Sequence, residues 1–149
     1  MEAKKIIITG SATRIGAAIA ISLAGYDTQI TLHYNKSTKE VKKLKTQLEN
    51  LGSKIFLIKA DLSKVTQTKK IISFAYKMMK GLDCLVNNAS VFEKDDLINF
   101  SEKSFNKHMI VNLQAPAMLT QEFKKYLKLK KGNIINIIDQ RIFKLTPFF

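Results

Sequence analysis

Apolar and polar positions along this chain fall into two alternating rhythms. Five short, β-branched runs are nearly continuous in hydrophobicity and of strand length: Lys4–Thr9, Thr28–Tyr34, Lys54–Ala60, Leu82–Asn87 and Asn133–Ile138. Between them lie longer stretches with apolar residues at helical spacing. Ile15–Ala24 is apolar at most positions, as in a helix packed on a sheet. The next stripe is Val41, Leu44, Leu48 and Leu51, with lysines opposite, and Ser37 or Thr38 stands where its cap belongs. A third helix is predicted from a Ser63 cap to Lys80, burying Ile71, Ile72, Ala75 and Met79. A fourth helical tract spans roughly Ser104 to Lys130, after a loop containing Asp95 and Asp96. A tail from Asp139 to Phe149, with Pro147, follows the last strand. Four of the six glycines, Gly25, Gly52, Gly81 and Gly132, fall after a helix and before a strand, where a left-handed C-cap belongs. The order βαβαβαβαβ predicts an α/β fold: one domain over residues 1–149, with a doubly wound parallel sheet of about five strands and helices on both faces.

Composition narrows the function classes. Hydrophobic residues make up 46% of the chain, enough for a real core, yet no apolar run is long enough to span a bilayer. Met1–Lys5 passes directly into the first strand with no signal-peptide pattern, and the single Cys84 cannot form an internal disulfide; both point to the cytoplasm. Cys84 reads as a small buried hydrophobe, and Met78, Met79, Met109 and Met118 as core filler. The net charge of +13 raises the possibility of a nucleic-acid partner. Every basic residue but Arg14 and Arg141 is a lysine, however, spread over the helices with no nucleic-acid-binding motif and no aromatic ladder. Solvated helix faces are the favoured reading. His33 and His108 have no companions at metal-ligand spacing, so no metal is expected and both read as structural.

In such a sheet, ligands bind beyond the carboxyl ends of the strands, where the strand order reverses. The residues just after the strands are Gly10–Gly16, Tyr34–Ser37, Asp61, Asn87–Phe92 and Asp139. Gly10 allows a tight turn, Gly16 lets the helix pack on the strand, and the helix N-terminus carries a partial positive charge suited to a pyrophosphate. Arg14 occupies the middle position of the usual three-glycine fingerprint. An NAD site calls for an acid near the end of the second strand, but Thr28 to Lys39 contains none. Asn35, Lys36 and Ser37 supply one cation and two hydrogen-bond formers, a set suited to a 2′-phosphate, so NADP(H) is the expected cofactor. Blander readings stand beside these. Lys36 is one more surface lysine, Phe92 packs under a loop, Asn88 caps a strand end, Asn112 has a structural partner, and Asp139 caps a turn.

Taken in order, Thr9-Gly-x-x-x-Arg-Ile-Gly16, Asp61-Leu62, Asn87-Asn88-Ala89-Ser90, Asn112 and Gly132-Asn-Ile-Ile-Asn-Ile137 resemble the short-chain dehydrogenase/reductase family. Arginine in the glycine turn, the run His33-Tyr34-Asn35-Lys36-Ser37, Asn88-Ala-Ser-x-Phe92, and Asp139 where most members have serine resemble its pteridine-reductase-like branch. The resemblance implies a Rossmann-like fold and NADP(H)-dependent hydride transfer to a carbonyl or a pterin-like imine. It implies Gly10, Arg14, Ile15 and Gly16 around the pyrophosphate, and Asn35, Lys36 and Ser37 at the 2′-phosphate. Asp61 and Leu62 would flank the adenine, with Asp61 accepting from its amino group. Asn88, Ala89 and Ser90 would follow the ribose and nicotinamide path. Ser90 and Phe92 would border the substrate, Phe92 as a stacking face, with Arg14 directing charge towards it. Asn112 would hold a water in a proton relay through a distorted helix, and Asp139 would sit beside the reacting centre.

Members of the family also carry a Tyr, and a Lys four residues later, on the helix after the fifth strand. The Lys lowers the Tyr pKa and the Tyr donates the proton. No such pair follows Ile138 in these 149 residues. Tyr126 with Lys130 precedes the fifth strand and reads as a coincidence of spacing. The resemblance therefore implies a C-terminally truncated chain, lacking the last helices and strands of the family fold and inactive alone. Its fifth strand would be an exposed apolar edge, met by a second copy or by a complementing C-terminal fragment.

Overall fold

The computed structural model describes residues 3–93, 98–128 and 130–139. Its strands are β1 (Lys4–Ile8), β2 (Thr28–Tyr34), β3 (Lys54–Lys59), β4 (Cys84–Asn87) and β5 (Asn133–Asn136). Its helices are α1 (Arg14–Ser22), α2 (Thr38–Asn50), α3 (Val65–Met79), α4 (Glu102–Met109) and α5 (Ala115–Leu127). All strand pairs are parallel, in the order β3-β2-β1-β4-β5. The chain thus winds outward from β1 to β3, crosses back, and builds β4 and β5 on the other side. This is a Rossmann-like doubly wound sheet, and its reversal lies between β1 and β4.

The near-continuous hydrophobicity of β1 has a simple cause. Successive side chains point to opposite faces, and both faces are covered. Ile7 enters one core layer with Ile71, Ile72 and Ala75 of α3 and Leu119 and Phe123 of α5. Ile6 and Ile8 enter the other, with Ala20 of α1 and Val41, Leu44 and Leu48 of α2.

Several local expectations are corrected. The fourth helical tract, one helix by its apolar spacing, is interrupted between α4 and α5 by a π-helical turn, Ile110–Gln114, which is the distortion at Asn112 that the resemblance implied. Pro116 stands in the first turn of α5, where its ring crowds the carbonyl four residues back, that of Asn112, and supplies no N–H to it. Lysines, not glycines, stand at the caps closing α3 and α5: Lys80 takes the left-handed conformation (φ 56°, ψ 35°), and Lys128 has a positive φ of 54° with ψ −111°. Ser63 does not cap α3; Lys64 holds that position and no side-chain cap forms. Leu51, Met78 and Met109 are substantially exposed, outside the core expected for them, and Cys84 is only half-buried. Strand β5 is exposed at all four of its residues. The expected loop acids Asp95 and Asp96, and the tail residues Arg141 and Pro147, lie outside the described residues. No described helix is long and apolar enough to cross a membrane, and no described cluster of side chains has metal-ligand geometry.

Candidate functional site

The carboxyl ends of β1 to β4 open onto one cleft of about 630 Å³ at the reversal of strand order. Gly10, Arg14, Ile15, Gly16, Asn35, Lys36, Ser37, Asp61, Leu62, Asn88, Ala89 and Ser90 all line it. Residues up to 80 positions apart in sequence thus share one rim. Three sequence-derived candidates, Phe92, Asn112 and Asp139, do not line the cleft wall.

The glycine turn is built by close approach. A Cβ on Gly10 would stand 2.8 Å from the Cα of Ala89, and one on Gly16 would stand 2.4 Å from the Gly10 carbonyl oxygen. Gly10 is also left-handed, at φ 61°. Thr9 ties this turn to the end of β4. Its Oγ1 accepts from the backbone N–H groups of Asn88 and Ala89, both at 3.0 Å, and donates to the Val86 carbonyl at 3.3 Å. Asn88 answers by donating Nδ2 to the carbonyls of Thr9 (2.9 Å) and Gly10 (3.1 Å). Asn88 is therefore more than a strand cap: it braces both loops of the cleft.

The N–H groups nearest Gly10 are already engaged. Gly10 donates to His33 Nδ1 at 3.1 Å and Ser11 to the His33 carbonyl at 3.0 Å. An anion would instead meet the first turn of α1. Thr13 is extended at the cap position, makes no side-chain capping bond, and no acid occupies the first turn. The amides of that turn have no intrahelical partners and carry the positive end of the helix dipole. Arg14 takes a left-handed φ of 53° where the family fingerprint has glycine, a conformation costing about 1–2 kcal/mol for a residue with a side chain. This cradle, too tight for a Cβ at either glycine, fits a dinucleotide pyrophosphate.

At the other end of the cleft Asn35 and Lys36 are exposed, and the Ser37 hydroxyl makes no capping bond to α2. Asp61 Oδ1 accepts from Ser63 Oγ (2.8 Å) and Ser63 N–H (2.9 Å). Those two bonds, aided by the charges of Lys64 and Lys36 and opposed by slight burial, hold the Asp61 carboxyl below its ordinary pKa. It is an ionised acceptor whose backbone N–H is fixed in turn by Gln67 Oε1 at 2.8 Å.

The loop after β4 is clamped to the α4–α5 region. From the π-helical turn, Asn112 Oδ1 accepts from the Val91 N–H and Asn112 Nδ2 donates to the Val91 carbonyl, both at 2.8 Å. His108 Nε2 accepts from the Glu93 N–H at 3.0 Å while its Nδ1 donates to the Ser104 carbonyl at 2.9 Å. Lys107, which reaches the cleft wall, pairs with the Glu93 carboxylate. Phe92 sits between these anchors with 65% of its surface exposed, so it is displayed rather than packed beneath the loop. Asp139 is exposed beyond β5. Tyr126 is half-buried against Tyr76, with ring centroids 4.9 Å apart, and does not line the cleft. Burial pushes the Cys84 thiol above its ordinary pKa, the wrong direction for a nucleophile.

Sequence reasoning missed the part His33 plays in the cleft. It is 2% exposed, yet it lines the cleft floor. Its Nδ1 accepts from Gly10, so Nε2 carries the hydrogen and donates to the Ala60 carbonyl at 3.1 Å. Burial pushes its pKa down to about 4, against weaker opposing effects of the Ala60 bond and the Asp61 charge. The available signal was a polar ring inside an otherwise buried central strand, two residues before the Asn35–Ser37 run. Lys107 and His108 gave no signal because they act through Glu93, 14 and 15 positions away, and Gln67 gave none because its partner is the backbone N–H of Asp61.

The family model described as short chain dehydrogenase matches residues 4–143. A short-chain dehydrogenase/reductase of Pestalotiopsis microspora is 30% identical over 135 residues, which is 91% of this chain and 51% of that protein. FolM alternative dihydrofolate reductase 1 of Brucella canis, solved in complex with NADP, is 32% identical with a TM-score of 0.87; the match covers 97% of this chain and 59% of that one. A short-chain dehydrogenase of Burkholderia cenocepacia in complex with NADP shares the fold, with a TM-score of 0.90 at 24% identity over 97% of this chain and 59% of that one. The chain spans about half the length of the curated relatives it matches.

Proposed function

Because the chain belongs to the short-chain dehydrogenase family, we propose that it forms the cofactor-holding half of an NADP(H)-dependent, pteridine-reductase-like oxidoreductase. The observation that carries this reading is the single rim formed by Gly10, Arg14, Lys36, Asp61 and Asn88. The first turn of α1 would hold the pyrophosphate, and Asn35, Lys36 and Ser37 the 2′-phosphate. Asp61, kept ionised by Ser63, would accept from the adenine amino group. Asn88, Ala89 and Ser90 would guide the nicotinamide along the end of β4. The cofactor, once bound, supplies a hydride to a carbonyl or a pterin-like imine. Arg14 and the displayed Phe92 ring would meet a flat, electron-poor substrate, Asn112 would lend its remaining hydrogen-bonding capacity to a proton path, and Asp139 would stand near the reacting centre. The NADP-bound Brucella canis relative supports this choice of cofactor.

The Tyr-x-x-x-Lys spacings within these 149 residues, Tyr76 with Lys80 and Tyr126 with Lys130, start on α3 and α5, and neither tyrosine lines the cleft, so neither is assigned as the proton donor. General acid catalysis contributes about 100- to 10,000-fold, so these residues alone should bind cofactor and turn over weakly or not at all. The exposed residues of β5 favour a second reading of the same site: a nucleotide-binding half completed by another polypeptide.

Fluorescence titration tests the cofactor assignment. NADPH should bind at least tenfold more tightly than NADH, and Lys36→Ala should erase most of that difference, since a charge-assisted contact contributes about 1.5–3 kcal/mol. Equal affinity for the two cofactors would sink the 2′-phosphate assignment. Assays of NADPH oxidation with dihydrobiopterin, dihydrofolate and simple diketones test the rest; robust turnover by the 149-residue chain would overturn the reading that it is inactive alone.

A further inference from the structure

We propose that His33 is a positioning residue of the cofactor site, fixing the glycine turn through the hydrogen bond that its Nδ1 accepts from the Gly10 N–H; this rests on the dinucleotide reading above. His33 touches three of the four segments that reading uses, all but Asn88–Ser90. Its Nδ1 holds Gly10 at 3.1 Å, and its carbonyl accepts from the N–H and Oγ of Ser11, at 3.0 and 3.1 Å. Its Nε2 donates to the carbonyl of Ala60, the residue before Asp61, at 3.1 Å. Its own strand ends one residue later and runs into Asn35–Ser37. One buried ring thus sets the spacing between the pyrophosphate turn, the 2′-phosphate run and the adenine acceptor.

The Gly10 bond is the one that matters for binding. Gly10 has no side chain to hold it and takes a left-handed φ, so its peptide needs an external anchor. Turning the Thr9–Gly10 peptide would also move the Thr9 carbonyl that Asn88 Nδ2 grips at 2.9 Å, and with it the β4 side of the cleft. The Ala60 bond, by contrast, joins two strands already paired through β2 and β3.

Two near-isosteric substitutions separate these bonds. In His33→Asn the amide oxygen falls near the place of Nδ1 and can still accept from Gly10. In His33→Gln the amide nitrogen falls near the place of Nε2 and can still donate to Ala60, leaving Gly10 without its acceptor. NADPH affinity of the Asn variant should stay within about threefold of the original, while the Gln variant should bind at least about tenfold more weakly. Hydrogen exchange of the Gly10 amide, measured without cofactor, should quicken in the Gln variant alone. Equal affinities in the two variants, or losses that track their denaturation midpoints, would show a merely structural histidine and overturn the proposal. If the unmutated chain takes up no NADPH, the cofactor reading itself fails and this inference falls with it. Binding by the unmutated chain with undiminished binding by His33→Gln removes the inference alone. Should the Gln variant not fold, the imidazole ¹⁵N spectrum of the unmutated chain decides: Nε2–H with bare Nδ1 is expected, and the reverse tautomer overturns the proposal.

Discussion

At the scale of single residues, the site is made by side chains whose work is to hold backbone. Thr9, His33, Asn88 and Asn112 each spend their hydrogen bonds on main-chain groups of other segments. His33 makes this visible in the pH dependence of stability. Its native pKa lies near 4, below the ordinary 6.5, because the charged ring has no room to be solvated. The unfolded chain therefore binds more protons than the native one between those values. Stability should be full above about pH 6.5, fall as pH drops towards about 4, and level off in this contribution below that, with a total loss of about 3 kcal/mol. Asp61, whose pKa is lowered in the native state, acts in the same direction: its contribution is present above its ordinary pKa and is lost on acidification. Urea denaturation from pH 7.5 to 4 should show the decline, and His33→Asn should flatten most of it between pH 6.5 and 4.5. A slope unchanged by that substitution would place the proton uptake on other groups. The twelve cleft-lining candidates were legible because each has a local signature just after a strand. The ring beneath them was legible as a polar residue in an apolar run and as the head of the His33–Ser37 run, but its bonds were not, since its partners Gly10 and Ala60 are 23 and 27 positions away.

At the scale of elements, strand order and helix faces follow from periodicity, but the α4–α5 tract does not. Its apolar spacing reads as one helix, because a π-helical turn shifts the register by a single residue, less than the scatter in such a pattern. Pro116 was the available mark, and it acts through backbone sterics rather than hydropathy. The distortion turns Asn112 towards Val91, where both ends of its amide are used. Pro116→Ala restores an N–H that can bond the Asn112 carbonyl and permits a regular helix. The expected result is a modestly more stable helix and a looser loop: exchange of the Val91 amide should quicken about five- to tenfold, near the contribution of one hydrogen bond. Unchanged protection at Val91 would mean that tertiary packing, not the proline, sets the π-helical turn.

At the scale of the whole molecule, two opposing features decide how copies of this chain meet. Strand β5 and the two residues after it form an edge whose successive side chains are all exposed, with Ile134 at 39%, Ile135 at 47%, Ile137 at 40% and Ile138 at 65%. Because neighbours in a strand point to opposite faces, both faces of the sheet are incompletely covered there. An apolar edge of this kind pairs readily with another strand. Against it stands a net charge of +13, which keeps copies apart at low ionic strength. Salt weakens the second feature and not the first, since the Debye length shrinks from about 10 Å at 0.1 M to about 3 Å at 1 M. Self-association of the 149-residue chain should therefore increase with salt, opposite to what ion-pair-driven assembly would do. Ile135 lies in register with Val86 of β4, in the middle of the edge. An ammonium group there would have to be buried unpaired by any strand or helix that docked on its face. Light scattering at about 100 μM should show Ile135→Lys remaining monomeric from 0.1 to 1 M NaCl while the unmutated chain associates. An unmutated chain that stays monomeric throughout would show that the edge is too weak to drive assembly. Association that persists in the variant would move the contact away from β5, to a face such as the one bearing Phe105, Met109 and Leu113.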